Sequence, residues 1–161
     1  MVVEIREASA EDVADLVPLA LEMERFYGSD TVIDATLAET RLRAALPMPP
    51  DSIFLIAQGR APLGFAVLYR MHPGRDLEPM WYLKELFVAA AGRGAGVGER
   101  LMQAAAAAVV QRGGQRLEFT TGSDNAAAQR FYERLGIPTV GKVFYRLEDD
   151  GLERLARSAR S

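Results

Sequence analysis

The sequence has no cysteine and a single histidine, and this scarcity removes several kinds of catalytic chemistry. Without cysteine there is no disulfide framework, no thiolate zinc site and no cysteine nucleophile. His72 lies in a polar segment whose neighbours suggest no partner for it. We therefore expect a protein that uses no bound metal and in which this histidine is incidental.

Long apolar runs and an excess of one charge are also missing. No stretch approaches the roughly 18 apolar residues of a membrane-spanning helix. The N-terminal residues MVVEIREASAED carry charge and lack the apolar core of a signal peptide. The net charge is −3, and no basic stripe is present. We therefore predict a cytoplasmic protein that binds neither membrane nor nucleic acid.

What is present is an ordinary globular composition in a chain of 161 residues, 49% of them hydrophobic. This length is enough to bury one apolar core without crosslinks, and neither a linker nor an internal repeat divides it. We predict one domain over residues 1–161, with residues 148–161 as a charged C-terminal tail or helix.

Apolar periodicity predicts alternating strands and helices. Strands are predicted at residues 2–6, 53–58, 63–71, in a central segment ending at Val88, at 115–121 and at 140–147. Helices are predicted at residues 10–27, 35–46, 97–111 and 125–135. Ser9 with Asp12 forms a helix-capping pattern, residues 28–30 break the first helix, and the prolines within residues 47–50 end the second. This order predicts a mixed α/β fold with one parallel crossover.

The sequence RGAGVG at residues 93–98 connects the central strand to an alanine-rich helix. It is not a Walker A loop, because no Gly-Lys-Ser/Thr ends it, nor a dinucleotide fingerprint, because Glu99 occupies the position of the third glycine. Glycines let the backbone approach an anion, and the N–H groups at a helix start bind phosphate. The turn is therefore an anion site or, alternatively, a tight connection that binds nothing.

Two motifs around this turn resemble those of one family. LKELFV at residues 83–88, followed after four residues by RGAGVG, resembles motif A of the GCN5-related N-acetyltransferases (GNAT), and NAAAQRFYERLGI at residues 125–137 resembles motif B. The chain departs from the family where Ala90 replaces a frequent proline and where Ile137 replaces the phenylalanine that commonly follows Gly136. The resemblance covers roughly residues 2–147.

The resemblance implies a GNAT-like single domain in which helices flank a central twisted mixed sheet with splayed central strands. It also implies acetyl-CoA as the cofactor, with pantetheine entering the gap between strands and the pyrophosphate bound in the glycine turn. The implied cofactor-binding residues are Leu86, Phe87, Val88, Arg93, Gly94, Ala95, Gly96, Val97, Gly98, Glu99, Asn125 and Tyr132.

Tyr132 is the candidate general acid. Asn125 and Tyr132 share one face of the predicted helix, which would meet the cofactor. The departing thiolate needs a proton at an ordinary thiol pKa of ~8.5. The alternative places both Phe131 and Tyr132 in the core, whereas the motif match favours Phe131 as core and Tyr132 as functional.

A primary amine with a pKa near ~10.4 must lose a proton before it attacks. Glu85 on the central strand is the first candidate base, because related polyamine acetyltransferases carry acidic residues in that region. Glu22, Glu24 and Tyr27 form a second group, since the end of the first helix commonly walls the acceptor site in this fold. The alternative for the glutamates is that they are exposed, solvated carboxylates. Acidic residues here would favour a cationic acceptor such as a polyamine, an aminoglycoside or lysine.

The resemblance therefore implies an acetyl-CoA-dependent N-acetyltransferase, with Tyr132 and Glu85 as catalytic residues and a small-molecule amine or a peptide as acceptor. The alternative is a non-catalytic acyl-CoA-binding regulatory module, which would need neither a base nor an acid. Small members of the family often form dimers, so a homodimer is the assembly that the resemblance suggests.

Overall fold

The computed structural model of the chain describes residues 2–28, 33–46 and 50–158. It contains two compact units, Met1–Gly122 and Ser123–Ser161. The described elements of the first unit are β1 (Glu4–Glu7), α1 (Val13–Tyr27), α2 (Ala35–Ala45), β2 (Ser52–Gln58), β3 (Pro62–Met71), β4 (Met80–Val88), α3 (Val97–Gln111) and β5 (Leu117–Glu118). Those of the second unit are α4 (Ala126–Arg134) and α5 (Asp149–Ser158).

The strands form one mixed sheet in the order β1-β2-β3-β4-β5. Each of the first three pairings is antiparallel, whereas β4 and β5 are parallel. A parallel pair needs a crossover connection, which α3 supplies. The predicted α/β class, a central mixed sheet flanked by helices with one crossover, is confirmed.

The two faces of the sheet carry different helices. α1 and α2 cover the face that holds Phe54, Phe65 and Phe87. α3 covers the other face, where a Cβ at Gly64 would lie 3.3 Å from the side chain of Leu101. The small alanine side chains along α3 let this helix lie close to the strands. A residue on β4 therefore faces either α1 or α3, depending on its register.

A charged cluster fixes the start of α1. The Asp12 carboxylate accepts hydrogen bonds from the Arg6 guanidinium and, at 2.7 Å, from the Ser9 N–H. Ser9 and Asp12 form the predicted capping box, on a short 3₁₀ turn that precedes α1. The hydrogen bond from Arg6, in a largely buried setting, holds the pKa of Asp12 well below its usual range.

The end of α3 is shaped by two consecutive glycines. Gly113 adopts φ +72°, and its N–H donates to the Val110 carbonyl at 2.9 Å while the Gly114 N–H donates to the Val109 carbonyl at 2.9 Å. These are the two bonds of a Schellman cap. A Cβ at Gly114 would lie only 2.6 Å from the Trp81 ring. The chain can therefore turn tightly against Trp81 and enter β5 beside β4.

Several predicted elements differ from those observed. Residues 140–147 have no regular secondary structure, so the predicted last strand is wrong. Apolar alternation reflects burial as well as strand structure, so it predicts a strand where this described segment has none. β5 is two residues long rather than seven. The charged tail forms α5. The proposed breaks at residues 29–30 and 47–49, and the last three residues of the tail, lie outside the described residues.

Candidate active site

The last part of β4 has one edge open. β4 pairs with β3 as far as Gly64↔Val88, whereas its pairing with β5 consists of Trp81↔Leu117 and Tyr82↔Glu118. Beyond these two rungs no strand of the described chain pairs with that edge. Leu86, Phe87 and Val88, predicted to bind pantetheine through their backbone, lie on this stretch. Such an edge can accept an extended ligand in place of a strand.

The glycine turn follows this open edge directly. Gly94 and Gly96 adopt φ of +74° and +75°, which glycine reaches without steric cost. Gly96 is the N-cap residue of α3, and no side chain among the described residues caps it. The first N–H groups of a helix have no acceptor within the helix, and they carry the positive end of its dipole. The turn therefore presents several N–H donors at the end of β4.

The turn also has room for the group that the motif implies. A Cβ at Gly94 or Gly96 would meet no atom of the described chain within 4 Å. Open space, positive φ and uncapped N–H groups occur together here, and this combination fits a pyrophosphate. The predicted binding of the pyrophosphate by Gly94 to Glu99 stays a prediction.

Arg93 is held at the start of the turn by two contacts. Its Nε donates to the Val88 carbonyl at 3.2 Å, and its guanidinium lies 5.1 Å from the centre of the Phe26 ring. A guanidinium has five N–H donors, and this hydrogen bond uses one of them. Arg93 can therefore keep this position and still bind an anion.

Glu22 has a different position from the one expected of an acceptor-binding residue. Its Oε1 accepts a hydrogen bond from the Ala90 N–H at 2.7 Å, in the segment that joins β4 to the glycine turn. Glu22 and Phe26 are four residues apart, so they share one side of α1. That side of the helix therefore contacts Ala90 and Arg93, at the start of the glycine turn. Glu24 is two positions away, about 200° around the helix axis, and its predicted role in the acceptor site stays a prediction.

A bulge in β4 determines where Glu85 points. Val67 pairs with Glu85 and Leu68 with Leu83, so Lys84 is an extra residue without a direct partner on β3. Because side chains alternate along a strand, one extra residue moves those that follow to the other face. Glu85 therefore lies on the face covered by α1, with Val67, and not on the α3 face with Leu83.

Two predicted acceptor-site residues meet at this point. The Tyr27 hydroxyl donates a hydrogen bond of 2.7 Å to Glu85 Oε1. Tyr27 is the last residue of α1 and is 56% exposed, so the pair lies at the surface where a substrate can reach it. A carboxylate has lone pairs for further hydrogen bonds. Glu85 can thus be oriented by Tyr27 and still accept a proton.

A cavity of about 260 Å³ opens beside Glu85, between the sheet and the helices α1 and α2. Its apolar lining includes Ala20, Met23, Leu42, Phe54, Phe65 and Val67. Tyr69, Lys84 and Glu85 complete it. Sequence reasoning missed Lys84 and Tyr69. In an ordinary strand Lys84 and Glu85 would lie on opposite faces. The only signal for Lys84 in the sequence is therefore that it is adjacent to Glu85.

Asn125 and Tyr132 belong to the second unit, which is described by itself. Asn125 is the N-cap residue of α4, and its Oδ1 accepts a hydrogen bond from the Ala128 N–H at 3.1 Å. The rings of Phe131 and Tyr132 have centroids 5.0 Å apart, and both residues are half-buried. Gly136 adopts φ +72° and ends the helix in a second Schellman cap. The roles predicted for Asn125 and Tyr132 stay predictions.

None of the described helices has the length and apolar character to span a membrane. Nor does the described part of the chain bring together three or more side chains of the types that ligate metals. His72 is exposed in the segment after β3.

Comparisons with known proteins agree on one family. A model of the "Acetyltransferase (GNAT) family" matches residues 19–137. The uncharacterized N-acetyltransferase YhfO of Bacillus subtilis is 32% identical over 133 residues, which are 82% of this chain and 87% of that protein. The segment that the family model matches contains both the glycine turn and the helix with Tyr132.

Solved structures extend this likeness to the fold. An integron cassette protein from the mobile metagenome of V. cholerae matches with a TM-score of 0.89 at 32% identity, over 98% of this chain and 99% of that one. A putative acetyltransferase from Arthrobacter sp. FB24 matches with a TM-score of 0.75 at 28% identity, over 90% of this chain and 95% of that one.

Proposed function

Because the chain belongs to the GNAT family and is an N-acetyltransferase, we propose that it transfers the acetyl group of acetyl-CoA to a primary amine of a small molecule or peptide held beside Glu85. The family typically uses acetyl-CoA. The observation that carries the proposal is the arrangement along β4, where a strand edge with no partner strand in the described part of the chain leads directly into a glycine turn with open N–H groups. Glu85 lies on the same strand.

The residues that would hold the cofactor follow from this arrangement. The turn from Gly94 to Glu99 would bind the pyrophosphate through backbone N–H groups, with Arg93 adding charge at its start. The open edge at Leu86, Phe87 and Val88 would bind the pantetheine arm. When bound, acetyl-CoA supplies the acetyl group as an activated thioester. A backbone N–H of this edge would donate to the acetyl carbonyl oxygen, where negative charge develops.

Glu85 is the proposed base. An amine with an ordinary pKa of ~10.4 arrives as an ammonium ion at pH 7, and Glu85 accepts its first proton. Tyr27 orients the carboxylate through the hydrogen bond to Oε1. The amine nitrogen then bonds to the acetyl carbon as the carbon–sulfur bond breaks. The amine nitrogen loses its second proton, and the thiolate gains one. Tyr132 is the proposed proton donor to the thiolate because of its position in motif B. A module that only bound acyl-CoA would need neither group.

Release of free CoA across a panel of amines, combined with calorimetry of acetyl-CoA binding, tests the proposal. We expect Glu85→Gln to bind acetyl-CoA normally and to lose at least ~100-fold in kcat/KM with aliphatic amines. The loss should be much smaller with an aromatic amine, which is already neutral at pH 7 and needs no base. Glu39→Gln is the matched control, with unchanged kcat/KM, because Glu39 is exposed on α2, pairs with Arg43 and does not line the cavity. Binding of acetyl-CoA without transfer to any amine would favour the regulatory module.

A further inference from the structure

Among the described residues, the charges that line the cavity beside Glu85 are one carboxylate and one ammonium group. Glu85 and Lys84 supply them, and apart from the Tyr69 hydroxyl the other lining side chains are apolar. An apolar wall does not solvate further charges. Glu22 adds no negative charge to this lining, because its carboxylate binds the Ala90 N–H. A polyamine or an aminoglycoside would bring several cations to a single carboxylate that has a lysine next to it.

The bulge gives the two charges an unusual spacing. In a regular strand Lys84 and Glu85 would point to opposite faces, but the extra residue lets both line one cavity. Their Cα atoms are consecutive and therefore about 3.8 Å apart. In an α-amino acid the ammonium and carboxylate groups are attached to one carbon atom. The two oppositely charged side chains therefore start from neighbouring positions at one cavity, where a ligand that carries both charges on one carbon atom can meet both.

The size of the cavity limits what the apolar part can be. At about 30 Å³ per water molecule in the liquid, 260 Å³ corresponds to roughly nine waters. Pockets for drug-sized ligands begin at about 300 Å³. The space is therefore smaller than a pocket that encloses a drug-sized ligand, and one aliphatic or thioether side chain fits within it.

Building on the proposed acetyl transfer, we propose that the acceptor is an α-amino acid with an apolar side chain. Its ammonium group binds Glu85, its carboxylate binds Lys84, and its side chain fills the cavity against Val67 and Met23. The product is the N-acetylated amino acid. This assignment gives Lys84 a role in selecting the acceptor, which the acetyl transfer itself does not require.

Matched acceptor pairs test the carboxylate contact. Release of free CoA is measured with L-leucine and with 3-methylbutylamine, which is leucine without its carboxylate, and also with spermidine and an aminoglycoside. We expect kcat/KM for L-leucine to exceed that for 3-methylbutylamine by about tenfold or more, the size of one charged hydrogen bond. Spermidine and the aminoglycoside should be poorer than both.

Two variants and one control variant locate the contacts. Lys84→Met should lower kcat/KM for L-leucine by about tenfold and so remove its advantage over 3-methylbutylamine. Lys142→Met, at the only other lysine of the chain, should keep that advantage. Ala20→Leu should fill part of the cavity and shift the preference from L-leucine towards glycine. Thermal melts show whether each variant is folded. If Lys84→Met does not fold, the change of acceptor preference in Ala20→Leu still tests the proposal.

Three results would overturn the assignment. Equal kcat/KM for L-leucine and 3-methylbutylamine would exclude a contact between the acceptor carboxylate and Lys84. A preference for spermidine or the aminoglycoside would place a polycation in the site while leaving acetyl transfer intact. Failure to bind acetyl-CoA or to acetylate any amine would instead reject the proposed function, and the assignment would fall with it.

Discussion

Substitution of Gly96 by alanine separates the conformational role of this glycine from its role in binding. At φ +75°, alanine is strained by about 1–2 kcal/mol. No atom of the described chain lies within 4 Å of the added methyl group, so clashes add nothing. For a chain of this length, that strain corresponds to a melting temperature lowered by about 2–8 °C.

Gly113 provides a matched control at the other end of α3. Its φ is +72°, and again nothing in the described chain lies within 4 Å of the methyl group that alanine would add. Gly113→Ala should therefore lose the same stability as Gly96→Ala. Only the methyl group at position 96 would enter the space proposed for the phosphates. Because a hydrogen bond to a charged acceptor contributes about 1.5–3 kcal/mol, Gly96→Ala should weaken acetyl-CoA binding by about 10- to 100-fold.

Isothermal titration calorimetry with two ligands makes the comparison. Acetyl-CoA carries the pyrophosphate, whereas S-acetylpantetheine does not. Gly96→Ala should weaken binding of the first and leave the second unchanged, and Gly113→Ala should change neither. If Gly96→Ala binds acetyl-CoA within twofold of the unsubstituted protein, or if both variants lose affinity equally, the phosphates bind elsewhere.

Three further predictions concern other contacts. Glu22→Ala should raise the KM for acetyl-CoA about fivefold, since loss of the bond to the Ala90 N–H loosens the turn by about 1 kcal/mol; an equal rise in Glu24→Ala would argue against this cause. Tyr132→Phe should lower turnover at least ~10-fold with acetyl-CoA affinity nearly intact if Tyr132 is the general acid, and unchanged turnover in steady-state assays would reject that role. Asp12→Asn should lower the free energy of unfolding at pH 7 by about 2 kcal/mol. Because the pKa of Asp12 is lowered in the folded state, its contribution is complete above the unfolded pKa of ~3.9 and is lost as the pH falls through the folded value. Urea unfolding at pH 7 and pH 3 should therefore show a smaller difference at pH 3.

The fold and the location of the turn follow from local signals. Capping residues, glycines and apolar periodicity act over a few positions, so the capping box at Ser9 and the sequence of helices and strands were predictable. β5 and residues 140–147 were less so, because strand formation depends on a partner far away in the sequence. Apolar alternation alone does not show whether that partner is present.

The candidate site depends on register, which the sequence states only indirectly. Glu85 and Tyr27 were each predicted at the acceptor site, but their hydrogen bond depends on the bulge at Lys84. Without the bulge, Glu85 would face α3. Glu22 was predicted at the acceptor site for the same reason as Tyr27, and its hydrogen bond with the Ala90 N–H could not be read from the sequence, because Ala90 lies 68 positions away.

The last two turns of α1 contact both parts of the site, from two neighbouring sides of the helix. Glu22 and Phe26 hold the turn proposed for the cofactor, while Tyr27 holds the proposed base. A displacement of this helix end that accompanies cofactor binding would therefore also move Glu85. Any such effect is thermodynamically reciprocal, so the acceptor would change the affinity for acetyl-CoA by the same factor. The two substrates of this enzyme would then bind as coupled ligands, with the end of α1 as the element that couples them.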